Sequence, residues 1–406
     1  MKPVERTAFG VLLAICSCHL INDMLQSLLL AVYPTLKAEF HLSFAQIGLV
    51  TLAYQLTASL LQPVVGVYAD RRPTPFSLPI GTLFTFTGLL ILAAAKTYPV
   101  LLAGAGILGI GSSVFHPESS RVARMASGGR PGLAQSLFQV GGNVGGALGP
   151  IGAAVVVLRW GQRGLGAFSV LALVSTCILA GVGLWYKRHG LQRLANGRGE
   201  PSATGQRLSR AEVTKSMTVL LVLIFSKFVY LASFTSYYTF YLIHRFGISV
   251  GSAQVHLFML LAAAAGGTLA GGPLGDRFGR KHVIWFSVLG VLPFTLVLPY
   301  ADLFWTGALS MAIGFVLASA FPAIVVYGQE LIPNRVGMVS GLFFGLSFGA
   351  AGSGAALLGR LADATSIEHV YRLCAFLPAL GMFAAFLPSL NGRRCAVPTG
   401  LRQPAQ

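Results

Sequence analysis

The sequence predicts an all-α membrane protein whose twelve transmembrane helices form two pseudo-symmetric six-helix bundles. Only 10% of its 406 residues are charged and 54% are hydrophobic, whereas about 25% of the residues in a typical soluble protein are charged. So few charges cannot cover the water-facing surface of a soluble chain of this length. Twelve apolar runs give the number of helices, and an internal repeat gives the division into two bundles.

Each of the twelve runs reaches the roughly 20 mostly apolar residues that a helix needs to cross a bilayer. The runs cover residues 9–34, 47–68, 77–95, 99–125, 131–158 and 164–186, and then 217–243, 253–272, 282–300, 304–328, 336–359 and 370–389. A polar, basic segment separates the two sets of six. We therefore expect an N-terminal bundle at 1–186, a linker at 187–216, a C-terminal bundle at 217–390 and a tail at 391–406.

The distribution of basic residues predicts the orientation in the membrane. The chain has 29 Lys and Arg but only 12 Asp and Glu, a net charge of +17. With both termini in the cytoplasm, 21 basic residues fall on the cytoplasmic side and 7 on the outer side, and Lys227 lies inside the membrane. Because basic loops stay cytoplasmic, we expect a cytoplasmic linker and cytoplasmic termini. The partner of these charges is then the anionic lipid surface and not a nucleic acid.

The two halves repeat the same motifs. GVYADRRP at 66–73 follows the second run, and GGPLGDRFGRK at 271–281 follows the eighth, so that Asp70 and Asp276 are 206 residues apart. The fourth-run segment LGIGSSVFHP aligns with AIGFVLASAFP of the tenth run at an offset of 205. A duplicated six-helix unit explains both matches.

These residues also indicate a family. GGPLGDRFGRK resembles the loop that follows the second helix of each half in the major facilitator superfamily. The chain is more closely similar to bacterial fosmidomycin resistance proteins, through stretches such as CHLINDMLQSLLLAVYP, GIGSSVFHPESSRVARMASGGRPGLAQSLFQVGGNVGGALGP and VYGQELIPNRVGMVSGLFFG. The resemblance implies the major facilitator fold and a monomeric pump of the bacterial inner membrane. It further implies export of fosmidomycin, a small hydroxamate phosphonate, in exchange for protons and without a cofactor. Ala105 stands where many proton antiporters of the superfamily have an arginine.

The first run contains a polar stripe formed by His19, Asn22, Asp23 and Gln26, which fall within an arc of about 100° on a helix. Ionisable residues inside a membrane are costly and usually functional. We expect Asp23 and His19 to handle protons, and Asn22 and Gln26 to contact the substrate. The alternative is that Asp23 and His19 pair one turn apart and only fix this helix to its neighbour.

The seventh run is the counterpart of the first, and it contains Lys227 at about the depth of Asp23. Tyr237 and Tyr241 share a helix face with this lysine. An ammonium group beside tyrosine hydroxyls suits a small anion, so these three residues are candidate substrate contacts. The alternative role of Lys227 is that of a counter-ion for Asp23.

The fourth run contains His116, Glu118 and Arg121 around Pro117, which is expected to kink the helix. An imidazole titrates near neutral pH, so His116 is a candidate for proton coupling together with Glu118. Arg121 is a candidate substrate contact, or the partner of Glu118 in an ion pair one turn away. His116 and Glu118 are 200° apart on a regular helix, so both can face one cavity only if Pro117 distorts it.

The repeated loops contain the candidate conformational gate. Asp70 and Arg71 end the second run, and Asp276, Arg277 and Arg280 end the eighth. We expect their charges to hold the cytoplasmic face closed. The alternative is that they are solvated charges that only set the topology.

The sequence excludes several function classes. It has no HExxH, GxSxG or GxxxxGK[ST] motif, so neither an enzyme nor a nucleotide-driven pump is indicated. Its five cysteines form no CxxC pair, and no metal site is expected. The favoured function is a proton-coupled exporter of a small anionic or polar compound. The alternative is an uptake or exchange carrier for a small phosphorylated metabolite or a sugar.

Overall fold

The computed structural model describes residues 7–42, 44–191 and 208–390. Within these ranges it contains twelve helices that are long and apolar enough to cross a membrane, which confirms the predicted fold class. The helices are α1 (Phe9–Ala31), α2 (Gln46–Arg71), α3 (Ser77–Ala94), α4 (Tyr98–Ala126), α5 (Pro131–Val157), α6 (Gly161–His189), α7 (Arg210–Phe246), α8 (Val255–Phe278), α9 (Arg280–Tyr300), α10 (Leu303–Leu331), α11 (Pro333–Ala364) and α12 (Ile367–Phe386).

Helix α7 begins inside the segment that the sequence assigns to the linker. The Ser209 hydroxyl accepts a hydrogen bond from the Glu212 backbone N–H at 3.2 Å, and the Glu212 carboxylate accepts one from the Ser209 N–H at 2.8 Å. This capping box starts a helix, and the helix ends at Gly247, whose φ is +65°. Helix α6 likewise extends into the predicted linker, to His189. Residues 192–207 of the linker and the tail at 391–406 lie outside the described residues.

Glycines bring α5 against the polar side of α1. A Cβ atom on Gly141 would overlap the carbonyl oxygen of Cys16, and one on Gly145 would overlap that of Leu20. Small residues allow this close approach of two membrane helices. The contact fixes α5 beside the stripe of α1 that contains His19 and Asp23.

The two halves meet through two equivalent helix pairs, α2 with α11 and α5 with α8. A Cβ atom on Gly66 would overlap the carbonyl oxygen of Gly337, and one on Gly272 would overlap that of Gly132. Gly66 and Gly272 lie near the ends of α2 and α8, close to Asp70 and Asp276. Gly132 and Gly337 lie near the starts of α5 and α11. All four positions are at the predicted cytoplasmic end. At this end the halves are in direct backbone contact.

Candidate functional site

A cluster of three titratable side chains lies in the N-terminal half. The Asp23 carboxylate stands between two imidazoles, with Oδ2 at 3.2 Å from His19 Nε2 and Oδ1 at 3.3 Å from His116 Nε2. The Asn22 amide donates a third contact to Oδ1 at 3.0 Å. Both histidines are buried, whereas 19% of the Asp23 side chain is exposed. The structure therefore brings His116 of α4 to the polar stripe of α1.

Backbone carbonyls fix which ring nitrogens carry hydrogen. His19 Nδ1 lies 2.7 Å from the Phe138 oxygen, and His116 Nδ1 lies 3.1 Å from the Ser112 oxygen. A carbonyl oxygen only accepts hydrogen bonds, so both Nδ1 atoms donate and both Nε2 atoms face Asp23. Neutral rings would direct lone pairs at a carboxylate. The arrangement is favourable once a proton or another cation lies between them.

Aromatic rings from both halves cover this cluster. The His19 ring stacks on Phe138 of α5 at a centroid distance of 4.1 Å. The His116 ring lies 5.4 Å from Phe344 and 5.1 Å from Phe348, both in α11. The cluster thus lies at the boundary between the halves, and sequence reasoning did not identify these three phenylalanines as its neighbours.

The remaining polar residues of the α1 stripe are also buried. Gln26 Oε1 accepts a hydrogen bond from the Tyr54 hydroxyl of α2 at 2.5 Å. Asn22 Oδ1 and Gln26 Nε2 have no hydrogen-bond partner among the described residues. These two amide atoms are therefore buried and unpaired in this conformation.

Lys227 is buried in α7 at a second site. Its ammonium group lies 5.1 Å from the centroid of the Phe228 ring and 4.9 Å from that of Phe321, in a cation–π arrangement. Within the described part of the chain, no carboxylate forms an ion pair with this lysine. Asp23 has the two histidines as partners instead.

A cavity of about 140 Å³ adjoins Lys227 and is lined by helices of both halves. Gln139 and Asn143 of α5 contribute amide groups to its wall, and Thr268 of α8 contributes a hydroxyl. Asn143 donates to Thr268 Oγ1 at 3.1 Å, whereas Gln139 Nε2 has no partner among the described residues. A cation and an unpaired amide donor therefore line one cavity, and sequence reasoning missed the two α5 amides.

Tyr237 and Tyr241 do not line this cavity, contrary to the expectation from their shared helix face. The Tyr237 hydroxyl donates to the Ala355 carbonyl at 2.6 Å. Tyr241 is fully buried and stacks on Tyr371 at 4.2 Å. Both rings lie further along α7 than Lys227 and pack within the C-terminal half.

Glu118 and Arg121 form a separate buried group. Helix α4 continues through Pro117, so the angular separation of His116 and Glu118 remains and they face different neighbours. Glu118 accepts a hydrogen bond from Ser77 of α3 at 2.8 Å and lies 3.5 Å from Arg121 Nη1. Arg121 also donates to the Ala69 carbonyl at 2.6 Å. The expected common cavity of His116 and Glu118 is therefore not formed.

The two motif aspartates occupy equivalent positions at the predicted cytoplasmic end. Asp70 accepts backbone hydrogen bonds from Gly337 at 2.9 Å and Met338 at 2.8 Å, in the first turns of α11. Asp276 accepts them at 3.0 Å from both Gly132 and Leu133, at the start of α5. Each carboxylate thus caps the N-terminus of a helix in the opposite half, where negative charge is stabilised.

An ion-pair network adds to the contact at Asp276. Arg280 lies 3.2 Å from Asp276 and 3.1 Å from Glu330, and Glu330 also lies 3.6 Å from Arg124 of the N-terminal half. Sequence reasoning missed Arg124 and Glu330. Arg277 is exposed over the Phe278 ring of its own helix.

Arg71 is likewise exposed and makes no described contact between the halves.

A buried hydrogen-bond network crosses the boundary between the halves. Gln329 donates to the Ser120 hydroxyl at 3.1 Å and to the Ser340 hydroxyl at 2.9 Å. Ser120 in turn donates to Gln135 at 2.9 Å.

Comparisons with known proteins agree with this architecture. The family model of the Major Facilitator Superfamily matches residues 15–356. The chain is 58% identical to the Fosmidomycin resistance protein of Escherichia coli (strain K12), over 94% of each chain. It is 38% identical to the uncharacterized MFS-type transporter YfnC of Bacillus subtilis (strain 168), again over 94% of each chain.

Among solved structures, the major facilitator transporter FucP in its outward conformation superposes with a TM-score of 0.74 at 16% identity. That match covers 95% of this chain and 100% of FucP. The fold, the family model and the relatives agree with one another and with the resemblance in the sequence. The chain belongs to the major facilitator superfamily, and it is a multi-pass membrane transporter and not an enzyme.

Proposed function

We propose that this transporter is an efflux antiporter of the bacterial inner membrane. It exports fosmidomycin or a related small anionic or polar compound in exchange for protons, and it acts as a monomer with both termini in the cytoplasm. The name of the relative that is 58% identical supports the substrate. The excess of basic residues on one side supports the orientation.

The observation that supports the proposal most is the separation of two buried charges near mid-membrane. Asp23 is paired with imidazoles in the N-terminal half. Lys227 faces a cavity between the halves, where it has no carboxylate partner among the described residues. Because the two charges do not neutralise each other, each is available to its own ligand. In the proposal, the carboxylate and histidines bind protons, and the ammonium binds the phosphonate together with the amides of Gln139 and Asn143.

The contacts between the halves support alternating access. Asp70 and Asp276 join the halves at the predicted cytoplasmic end, which is the end that an outward-facing transporter keeps closed. Release of these caps would separate α2 from α11 and α5 from α8. The same movement would carry Phe344 and Phe348 of α11 away from His116 and uncover the proton cluster.

Uptake or exchange of a small phosphorylated metabolite is the competing function, since Lys227 would bind a phosphate group as well as a phosphonate. The resistance protein among the relatives favours export. Direction and substrate are therefore measured together, with a phosphate ester included as a competitor.

The test uses the purified protein in liposomes with an imposed pH gradient. Asp23→Asn is expected to abolish pH-driven fosmidomycin transport, because an amide does not exchange a proton. Lys227→Met keeps most of the apolar stem and is expected to weaken fosmidomycin binding about 10–150-fold, the loss of one charge-assisted hydrogen bond. Asp363→Asn and Lys215→Met are the matched controls, since both residues lie outside the two sites.

Three results would contradict parts of the proposal. Near-parental affinity in Lys227→Met would exclude its contact with the substrate. Recovered folding and binding in the double variant Lys227→Met with Asp23→Asn would make Lys227 a counter-ion of Asp23. Undiminished pH-driven transport in Asp23→Asn would move proton coupling to His116 or Glu118.

A further inference from the structure

We propose that His19, Asp23 and His116 also form a binding site for a divalent transition-metal ion of the Zn²⁺ class. The ion takes the place that protons occupy in the transport cycle. The sequence predicts no metal site, because its cysteines form no CxxC pair and it has no HExxH motif. The fold brings one ligand atom from each of these three residues within 4.8 Å of the other two.

The distances fit a first coordination shell. Zinc binds histidine nitrogen at about 2.0–2.1 Å and carboxylate oxygen at about 2.0–2.2 Å, so two ligands of a tetrahedral ion are roughly 3.4 Å apart. The two Nε2–oxygen distances to Asp23 are 3.2 and 3.3 Å. Tetrahedral binding needs roughly 3.4 Å between any two ligands, so a separation of up to 4.8 Å must close by up to about 1.4 Å through movement of a histidine ring.

The second nitrogen of each histidine ring already has a hydrogen-bond partner. Metal-binding histidines usually donate their other ring N–H to a carbonyl or carboxylate, which orients the ring and directs the free nitrogen at the ion. Both histidines here donate from Nδ1 to backbone carbonyls. Both Nε2 atoms are buried and face the Asp23 carboxylate, at 3.2 and 3.3 Å.

Gly142 of α5 leaves room beside these ligands. A Cβ atom at this position would lie 2.5 Å from His19 Nε2 and 2.7 Å from Asp23 Oδ2. A side chain at this position would therefore displace both ligand atoms. The partial exposure of Asp23 gives an ion access to the three ligands.

The donor set selects the kind of ion. Imidazole suits zinc, copper and nickel, whereas magnesium and calcium prefer oxygen ligands alone. Three protein ligands leave a fourth position open for water or for an oxygen of a bound molecule. A second histidine–carboxylate pair, His244 with Glu368 at 2.6 Å, has two ligands, and 71% of its histidine side chain is exposed. That pair supplies the matched control.

The test measures zinc binding to the full-length protein, purified without a polyhistidine tag, by equilibrium dialysis and metal analysis. We expect one tightly bound Zn²⁺ per chain and no comparable binding of Mg²⁺. His116→Ala and Asp23→Asn should each weaken zinc binding by at least the 10–100-fold that the loss of a second-shell partner typically costs. Gly142→Ala should weaken it too, although all three ligands remain. His244→Ala should leave the tight site unchanged.

Thermal unfolding without metal identifies the variants that fold. If His116→Ala does not fold, the comparison of zinc affinities rests on Asp23→Asn and Gly142→Ala. Wild-type protein that binds zinc no more tightly than the folded variants would overturn the proposal, as would loss of the tight site in His244→Ala. The assay needs no transport and no fosmidomycin. Absence of zinc binding would therefore not contradict proton antiport. Absence of proton coupling would likewise not contradict a measured zinc site.

Discussion

Replacing the gate aspartates should open the predicted cytoplasmic end of the transporter. Each carboxylate accepts two backbone N–H groups at 2.8–3.0 Å across the boundary between the halves. Asparagine keeps one acceptor oxygen but turns an NH₂ group towards the other N–H. We therefore expect Asp70→Asn or Asp276→Asn to destabilise the closed end by about 1.5–3 kcal/mol, the contribution of one charge-assisted hydrogen bond.

That loss changes the equilibrium between the closed and open forms about 10–150-fold. A parent protein that is open at this end about 1% of the time would then be open about 10–60% of the time. The effect of Asp276→Asn should be at least as large as that of Asp70→Asn, because it also removes a partner of Arg280. The double variant should show both losses, since the two caps share no partner.

Distances between spin labels at the two halves measure this opening. Arg130 directly precedes α5 and Asn334 lies in the first turn of α11; both are exposed, and cysteines at these positions accept the labels. The gate variants should show a second, longer distance. Asp363→Asn, the same substitution near the far end of α11, is the control and should not. An unchanged distance distribution in the Asp70→Asn and Asp276→Asn double variant would refute the role of these caps.

Three further changes test other parts of the structure. Arg121→Met should lower stability by about 3–5 kcal/mol, because it leaves Glu118 buried without its cation; thermal unfolding measures this, and adding Glu118→Gln should restore part of it. Gly66→Ala should open the predicted cytoplasmic end in the spin-label experiment, since its Cβ would overlap the Gly337 carbonyl; a parental distance distribution would contradict the close helix contact. A reporter inserted in 187–216 should behave as cytoplasmic, and a periplasmic signal would contradict the charge-based orientation.

The helices could be predicted from the sequence because lipid imposes one dominant requirement, a long apolar run. The exact ends could not, because they depend on a few local hydrogen bonds. Ser209 and Glu212 start α7 inside the polar linker.

The site was predicted in part. The motif directed attention to Asp70 and Asp276, but their partners are backbone N–H groups, which no side-chain pattern encodes. The offset of 205 nevertheless relates Gly132 to Gly337. Once Gly337 is known to be a partner of Asp70, the repeat therefore predicts Gly132 as a partner of Asp276. The contacts of Tyr237 and Tyr241 could not be predicted from the sequence. They share a helix face with Lys227, but a shared face does not show which neighbouring helix packs against each turn.

The duplication also explains why the two buried charges have equivalent surroundings. At the offset of 205, His116 of α4 corresponds to Phe321 of α10. His116 lies against Asp23 of the first helix in its half, and Phe321 lies against Lys227 of the first helix in the other half. The same repeated position therefore faces a charged side chain in both halves. In the N-terminal half it is an imidazole that faces a carboxylate, and in the C-terminal half it is a phenyl ring that faces an ammonium group. An imidazole can give a proton to its charge, whereas a phenyl ring stabilises a cation without removing its capacity to bind an anion. In the proposed function, divergence at this repeated position, together with the change from Asp23 to Lys227, makes one half suited to protons and the other to an anionic substrate.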